Sequence, residues 1–262
     1  MERILVLDAS ESLGFRFSKD YTDKYEIMPL SSEHGLYSLL KSIENLNDDF
    51  DFVINNFEIS YYNRNTDLFD LNFKMQDIIN EKFRSAKKIY ISTQMVYSSS
   101  GDKKSESDKT EPETYYGRTK LMGEAEAKKD NDYIIFRSGL IYGKCIKNIY
   151  TDILVSLRGR TPLKLDNSIR INPTLNRDAS MAVEAIIKYS DNDVYNLASP
   201  DNMTLYDFGR TIAGTLNVDN YYFIKINSSS CYNYDVSSEK IEKTLNFKFS
   251  TLNLMNFMTF LR

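Results

Sequence analysis

Tryptophan is absent from the 262 residues, and histidine occurs once, at His34. A Ser-His-Asp triad needs a histidine, and zinc sites usually take several His or Cys. His34 stands beside Gly35 at what reads as a helix start, which points to a surface residue. Acid–base chemistry then falls to Tyr, Lys, Asp, Glu or a bound cofactor, and no metal is expected. Cysteine occurs twice, at Cys145 and Cys231, too far apart to read as a disulfide framework. No apolar run approaches the length that spans a bilayer, and Met1-Glu2-Arg3 leads into a short strand without a signal segment. The expectation is a cytoplasmic chain with no membrane partner. A net charge of -4 argues against a broad basic surface for nucleic acid.

Glycine is scarce too, ten in all, and the first turn shows why that matters. An apolar run, Ile4-Leu5-Val6-Leu7, reads as a buried first strand, and "DASESLG" follows it. Dinucleotide-binding proteins place a glycine-rich phosphate loop here. Only Gly14 is present; Asp8 and Glu11 stand where two more glycines would. A carboxylate about 4 Å from a phosphate costs on the order of 1–4 kcal/mol. That is enough to turn micromolar binding, worth about 8 kcal/mol, toward millimolar. The helix N-terminus still offers N–H groups, to which Ser10 and Ser12 add donors.

What is present is an alternation of short apolar runs with amphipathic segments. "RILVLD", "KYEIMPL", "FDFVINNF", "KKIYIST" and "YIIFRSGLIYG" read as strands. "LGFRFSKDY", "GLYSLLKSIENL", "DLFDLNFKMQDIINEKFRSA" and "YYGRTKLMGEAEAKK" read as helices between them. This predicts an α/β fold, a doubly wound parallel sheet with helices on both faces. After Gly143 the pattern loosens. "NIYTDILVSLRG", "RDASMAVEAIIKYS", "TLYDFGRTIAGTLN" with Thr204 as its cap, "SSEKIEKTLNF" and "STLNLMNFMTFLR" are helical in character, and "DVYNLAS" and "YYFIKINS" are strands. The expected division is 1–143 with roughly 172–199 in a nucleotide-binding domain, and roughly 144–171 with 200–262 in a small lid. The stretch 98–113, "SSSGDKKSESDKTEPE", is polar without an apolar anchor and reads as a mobile surface loop.

Tyr116 and Lys120 lie four residues apart on a helix and so share a face. A free tyrosine ionises near 10, too high for work at neutral pH. An ammonium about 4 Å away stabilises the phenolate by about 4 kcal/mol at an effective dielectric of roughly 20. Upstream, "YIST" ends in Ser92-Thr93, where a hydroxyl faces the crevice at the C-terminal end of a parallel strand. A solvated helix face is the plainer reading of Tyr-x-x-x-Lys alone; its place after this strand lifts it above that.

"IYISTQMVYSSSGDKKSESDKTEPETYYGRTKLMGEAEA" followed by "YIIFRSGLIYG" resembles the extended short-chain dehydrogenase/reductase family, nearest its dTDP-4-dehydrorhamnose reductase-like and nucleotide-sugar epimerase branch. The resemblance implies a Rossmann-like sheet with a small C-terminal α/β substrate-binding lid. It implies an NAD(P)-dependent reductase or epimerase acting on a nucleotide-linked deoxysugar. Thr93 would hydrogen-bond the substrate oxygen, Tyr116 would transfer the proton, and Lys120 would tune Tyr116 and hold the nicotinamide ribose. Asp8, Ser10, Glu11, Ser12, Leu13, Gly14, Ser31, Asn55, Asn56 and Ser138, with Tyr116 and Lys120, would line the cofactor. The loop 98–113 would cover the sugar. Ser31 and Ser32, where NAD enzymes tend to carry an acid, lean toward NADP, although Glu33 opposes this. Gln94-Met95 after Thr93 replace the Asp-Glu of the 4,6-dehydratases, which argues against dehydration. Lys144, Lys147, Arg158 and Arg160 would either meet a substrate diphosphate or form a solvated basic face. A homodimer through the two long helices is expected by analogy. The other reading, which rests on Asp8 and Glu11, is a non-catalytic scaffold or nucleotide-sugar binder that has lost the dinucleotide.

Overall fold

A computed structural model describes residues 1–9, 12–31, 36–57, 68–130, 132–144, 146, 148–189 and 192–252. His34, Ser10, Glu11, Ser32, Glu33, Cys145, Lys147 and most of the last expected helix lie outside the described residues.

The expected strands form where the apolar runs are: β1 (Arg3–Leu7), β2 (Glu26–Leu30), β3 (Phe52–Asn55), β4 (Lys87–Thr93) and β5 (Tyr133–Ser138). Between them run α1 (Ser12–Asp20), α2 (Leu36–Glu44), α3 (Met75–Lys82) and α4 (Tyr115–Ala127). Beyond β5 come β6 (Leu140–Tyr142), α5 (Ile149–Gly159), β7 (Leu163–Asp166), β8 (Ile169–Ile171), β9 (Pro173–Leu175), α6 (Asn176–Ile187) and β10 (Asp193–Leu197). The chain continues through β11 (Met203–Thr204), α7 (Leu205–Thr215), β12 (Phe223–Ile226), β13 (Tyr232–Asn233) and α8 (Glu239–Leu245).

Six strands pair in the order β10-β5-β4-β3-β1-β2, every pair parallel. This is the doubly wound sheet the alternation predicts. Chain order reverses between β1 and β3, and a crevice opens at the carboxyl ends of strands at such a point. Pro29, which cannot donate to a ladder, sits on the edge strand β2. One face of the sheet carries α1 and α6: Ile4, Val6, Leu13, Phe17, Ile134, Phe136, Val183 and Ile186 pack in one buried cluster. On the other face, Leu5, Leu7 and Val53 pack with Ile43, Met75, Ile79 and Phe83.

Three expectations change. "YIIFRSGLIYG" is two strands, because the Gly139 N–H bonds the Leu197 carbonyl and Leu140 leaves the main sheet, so that β6 pairs with β9. The long helix before β4 carries a π-helical turn, Asp70–Lys74, and ends at Lys82. The loop 98–113 is tied down by polar anchors: Lys104 and Val236 form a β-bridge, Ser99 bonds Glu113, and Glu106 accepts the Asn196 N–H at 2.8 Å. Thr204 caps α7 as expected, accepting from the Asp207 N–H at 3.0 Å. Among the described residues no helix is long and apolar enough to cross a membrane, and no group of three His, Cys, Asp or Glu is placed to hold a metal.

Candidate active site

β4 and α4 build the centre of the crevice. Thr93 ends β4, and its Oγ1 accepts the Met95 N–H at 3.3 Å, which leaves the hydroxyl hydrogen for another acceptor. A short 3₁₀ turn, Gln94–Val96, follows. α4 starts against that turn. Its cap is Thr114, which accepts the Gly117 N–H at 3.0 Å. A Cβ on Gly117 would stand 2.3 Å from the Met95 carbonyl oxygen. Only glycine lets the first turn of α4, and Tyr116 with it, come this close to Thr93's end of the strand. Nearly two turns on, Gly123 plays the same part against the Tyr90 hydroxyl and the Asn72 carbonyl.

Tyr116 is half-buried and Lys120 is buried. The Lys120 ammonium donates to the Phe57 carbonyl at 2.6 Å and the Ile91 carbonyl at 2.8 Å, and lies 5.1 Å from the centre of the Tyr90 ring. Burial, then the charges of Glu124 and Tyr116, push the Tyr90 phenol well above its ordinary value. Tyr90, Tyr116, Lys120 and Glu124 therefore share one electrostatic neighbourhood. Ser138 ends β5 and donates to the Ser92 carbonyl at 3.0 Å, tying the two strand ends together.

At the first turn, Asp8 is buried and adopts φ 59°. This is the left-handed bend a glycine would supply, and Asp is among the few residues that tolerate it. The Asp8 carbonyl accepts from Asn56 Nδ2 at 3.2 Å. A Cβ on Gly14 would meet Asn56 Nδ2 at 2.8 Å and the Asp8 carbonyl at 3.0 Å. The close helix-to-strand approach assigned to the third glycine is thus retained. Asn56 Oδ1 is buried there without a hydrogen-bond partner. A left-handed turn, a tight helix start, an orphaned amide oxygen and the switch-point crevice fit a dinucleotide. Leu13 buries its side chain in the core, so a contact with a cofactor would come through its backbone. Asn55 spends its amide on Gln76 at 2.8 Å. Ser31 is exposed just past β2. Lys144, Arg158 and Arg160 are all exposed.

Sequence reading missed the charged pair behind the site. Glu124 and Arg137 are both buried; Arg137 Nε donates to Oε1 at 2.9 Å and Nη2 to Oε2 at 2.7 Å. Ser92 Oγ donates to the same carboxylate at 2.6 Å. Arg137 Nη1 donates to the Tyr97 hydroxyl at 2.7 Å, which in turn donates to Asn196 at 3.0 Å. Burial pulls the Arg137 guanidinium down, but the bonds and charge of Glu124 outweigh it and hold it above its ordinary value. Two signals were available: an arginine inside an apolar strand, and a Glu one turn beyond Lys120.

This arrangement can be set beside known proteins. The chain aligns with 98% or more of two reductases and 96% of a dehydratase. The dTDP-4-dehydrorhamnose reductase of Bacillus anthracis, solved with NADP, superposes with a TM-score of 0.85 at 16% identity, covering 99% of this chain and 98% of that one. A dTDP-4-dehydrorhamnose reductase from Clostridium acetobutylicum gives 0.82 at 19% identity over 99% and 98%. The dTDP-glucose 4,6-dehydratase of Bacillus anthracis, solved with NAD, gives 0.78 at 17% over 99% and 96%. At these identities the likeness shows the fold. No curated protein matches by sequence. The family model of the RmlD substrate binding domain matches residues 76–242, a span that contains β4, α4 and the Glu124–Arg137 pair. Over more than half its length, and through the strand and helix that build the crevice, the chain belongs to the RmlD substrate binding domain family.

Proposed function

We propose that the protein is an NAD(P)-dependent enzyme that reduces, or epimerises through, a keto group on a nucleotide-linked deoxysugar. The observation that carries this is the seating of α4 on the Thr93 turn. Gly117 meets the Met95 carbonyl, which brings Tyr116 and Lys120 to the carboxyl end of β4. A bound nicotinamide dinucleotide supplies or accepts the hydride. Tyr116 gives its phenolic proton to the oxygen that gains charge at the sugar carbon, or takes it back in the reverse direction. Lys120, its ammonium held by two carbonyls, favours the phenolate. Thr93 donates its hydroxyl hydrogen to the same substrate oxygen. Asp8, Leu13 and Gly14 through their backbone, with the Ser10 and Ser12 hydroxyls, would face the phosphates, Glu11 would have to turn its carboxylate away from them, and the unpartnered Asn56 Oδ1 would accept from a ribose hydroxyl. Ser31 supports NADP over NAD.

Calorimetric titration with NADPH and NADH, followed by turnover on a panel of 4-keto sugar nucleotides, tests the reading. Micromolar binding and turnover are expected, and Tyr116→Phe lowers kcat by about 10²–10⁴-fold. An unchanged rate in Tyr116→Phe overturns the assignment. The buried Asp8 at the first-glycine position favours a second reading, a nucleotide-sugar binder without catalysis. No dinucleotide binding up to millimolar, with retained sugar-nucleotide binding, would establish it. A homodimer through α3 and α4 belongs to the same proposal, with Tyr115 and Met122 exposed on α4; light scattering reads it directly.

A further inference from the structure

Tyr116, Lys120 and Glu124 recur every four residues, so α4 turns one stripe toward β4 that carries a phenol, an ammonium and a carboxylate in succession. The stripe is pinned at two neighbouring points of β4, Lys120 to the Ile91 carbonyl and Glu124 to the Ser92 hydroxyl. The sign of the third member is awkward. A buried carboxylate one turn from Lys120 opposes the field that Lys120 exerts on Tyr116. Water cannot screen it, because Glu124 is 0% exposed. Arg137, 4% exposed, engages both carboxylate oxygens from β5. Stability alone does not account for such a pair, since well-packed apolar replacements of buried ion pairs are often neutral or stabilising.

We propose that Arg137 is an electrostatic positioning residue: by neutralising Glu124, it lets the carboxylate anchor α4 to Ser92 while leaving the field of Lys120 on Tyr116 intact. The inference rests on the reading of Tyr116 as the proton-transfer group. The other elements packed on α4 bring few competing charges. β4 presents the Tyr90 phenol, held neutral by burial, and on the same face the buried Lys88, whose charge is paired with Asp130 at 2.5 Å. In the π-helical turn, Asp70 and Lys74 pair with each other at 2.5 Å. The 3₁₀ turn after Thr93 carries no titratable side chain. Past the far end of α4, Lys129 pairs with the buried Glu126 at 2.7 Å and is also within the influence of Asp77 on α3. Arg137 is thus the charge that decides what Glu124 does to the stripe.

The test is the titration of Tyr116 in full-length protein labelled at tyrosine ¹³Cζ, with the resonance assigned by its loss in Tyr116→Phe. Arg137→Gln leaves a bare carboxylate two turns, about 12 Å, from Tyr116. Its midpoint should rise by about one pH unit. Glu124→Gln leaves a bare guanidinium and should lower the midpoint by a similar amount. The double variant Glu124→Gln/Arg137→Gln should return close to wild type. Should Arg137→Gln fail to fold, Glu124→Gln and the double variant decide the matter by themselves: a fall that the second change reverses supports the inference. Shifts of the same sign in both single variants, or a wild-type midpoint in Glu124→Gln, overturn it, because a purely structural role has no reason to reverse sign with the charge removed. The readout needs no turnover. Opposite shifts in a protein that reduces no 4-keto sugar nucleotide would leave the field effect standing and remove the reductase reading. In an active enzyme the pH profile of kcat should move with the midpoints.

Discussion

At Gly117 the difference between a hydrogen and a methyl group decides where the candidate proton donor sits. Its Cβ would lie 2.3 Å from a backbone carbonyl, and a backbone cannot swing aside as a side-chain tip does. Gly117→Ala should push the first turn of α4 outward by about an ångström, and misplacement of that size costs about 10²-fold in rate. Steady-state kinetics reads this, with circular dichroism to show the fold kept; wild-type kcat in Gly117→Ala would mean the close approach is unimportant. Asp8 makes the complementary case. A non-glycine residue in the left-handed region costs about 1–2 kcal/mol, and its carboxylate opposes phosphate. Asp8→Gly should tighten dinucleotide binding about tenfold by calorimetry, and an unchanged Kd would place the carboxylate away from the phosphates. These two sites differ in how far the sequence exposed them. Asp8 was conspicuous because a glycine was expected there. Gly117 was silent, since glycine inside a helix reads only as a weak helix former until the neighbouring carbonyl is known.

Among the elements, the segment 98–113 departs most from its composition. Its polarity promised a loose loop, and apolar periodicity offered nothing to fix it. The anchors are a carboxylate and backbone groups: Ser99 N–H and Oγ both bond Glu113 Oε1 at 2.9 Å, and the Lys104 N–H reaches the Asp235 carbonyl at 2.9 Å. Glu113 sits immediately before the Thr114 cap, so one residue joins this segment to the start of α4. If the segment covers the sugar, Glu113→Ala should raise KM for the sugar nucleotide about tenfold. It should leave kcat and the dinucleotide Kd within about twofold. An unchanged KM would remove the segment from the substrate site. Thr114→Ala should instead cost about 1 kcal/mol through the lost cap and lower the melting temperature by about 2–4 °C. The strands β7, β8, β9, β11 and β13 were illegible for a related reason. They run two to four residues, too short for a period of two to declare itself, and they exist because distant segments pair with them. β4 and α4 were legible from the sequence, β4 as an apolar run and α4, which has little apolar periodicity, through its strong helix formers.

At the scale of the whole molecule, the missing tryptophans are replaced by tyrosines, and these set a pH limit. Tyr21, Tyr25, Tyr97, Tyr150 and Tyr234 are each pushed up to about 12, with burial the first cause in every case. They are spread over the fold. Tyr21 and Tyr25 lie with Phe17 in the cluster under α1 and α6, Tyr150 stands on α5, and Tyr97 links β4 to β5 and β10. A phenol in the unfolded chain ionises near 10. Between about 10 and 12 the unfolded state has released protons that the folded state still holds, so rising pH favours unfolding. The stabilisation from keeping these phenols neutral is complete below pH 10 and is lost as pH rises through 12. Five groups titrating in the same window should make the loss steep. Urea midpoints should be level from pH 8 to about 9.5 and fall sharply above 10. The sheet order and this dispersion of buried phenols were not readable beforehand, because nineteen tyrosines in a sequence do not say which are wet. A urea midpoint that stays level through pH 11 would show that the buried tyrosines do not control alkaline stability. A fall already complete by pH 9 would assign it to groups other than these phenols.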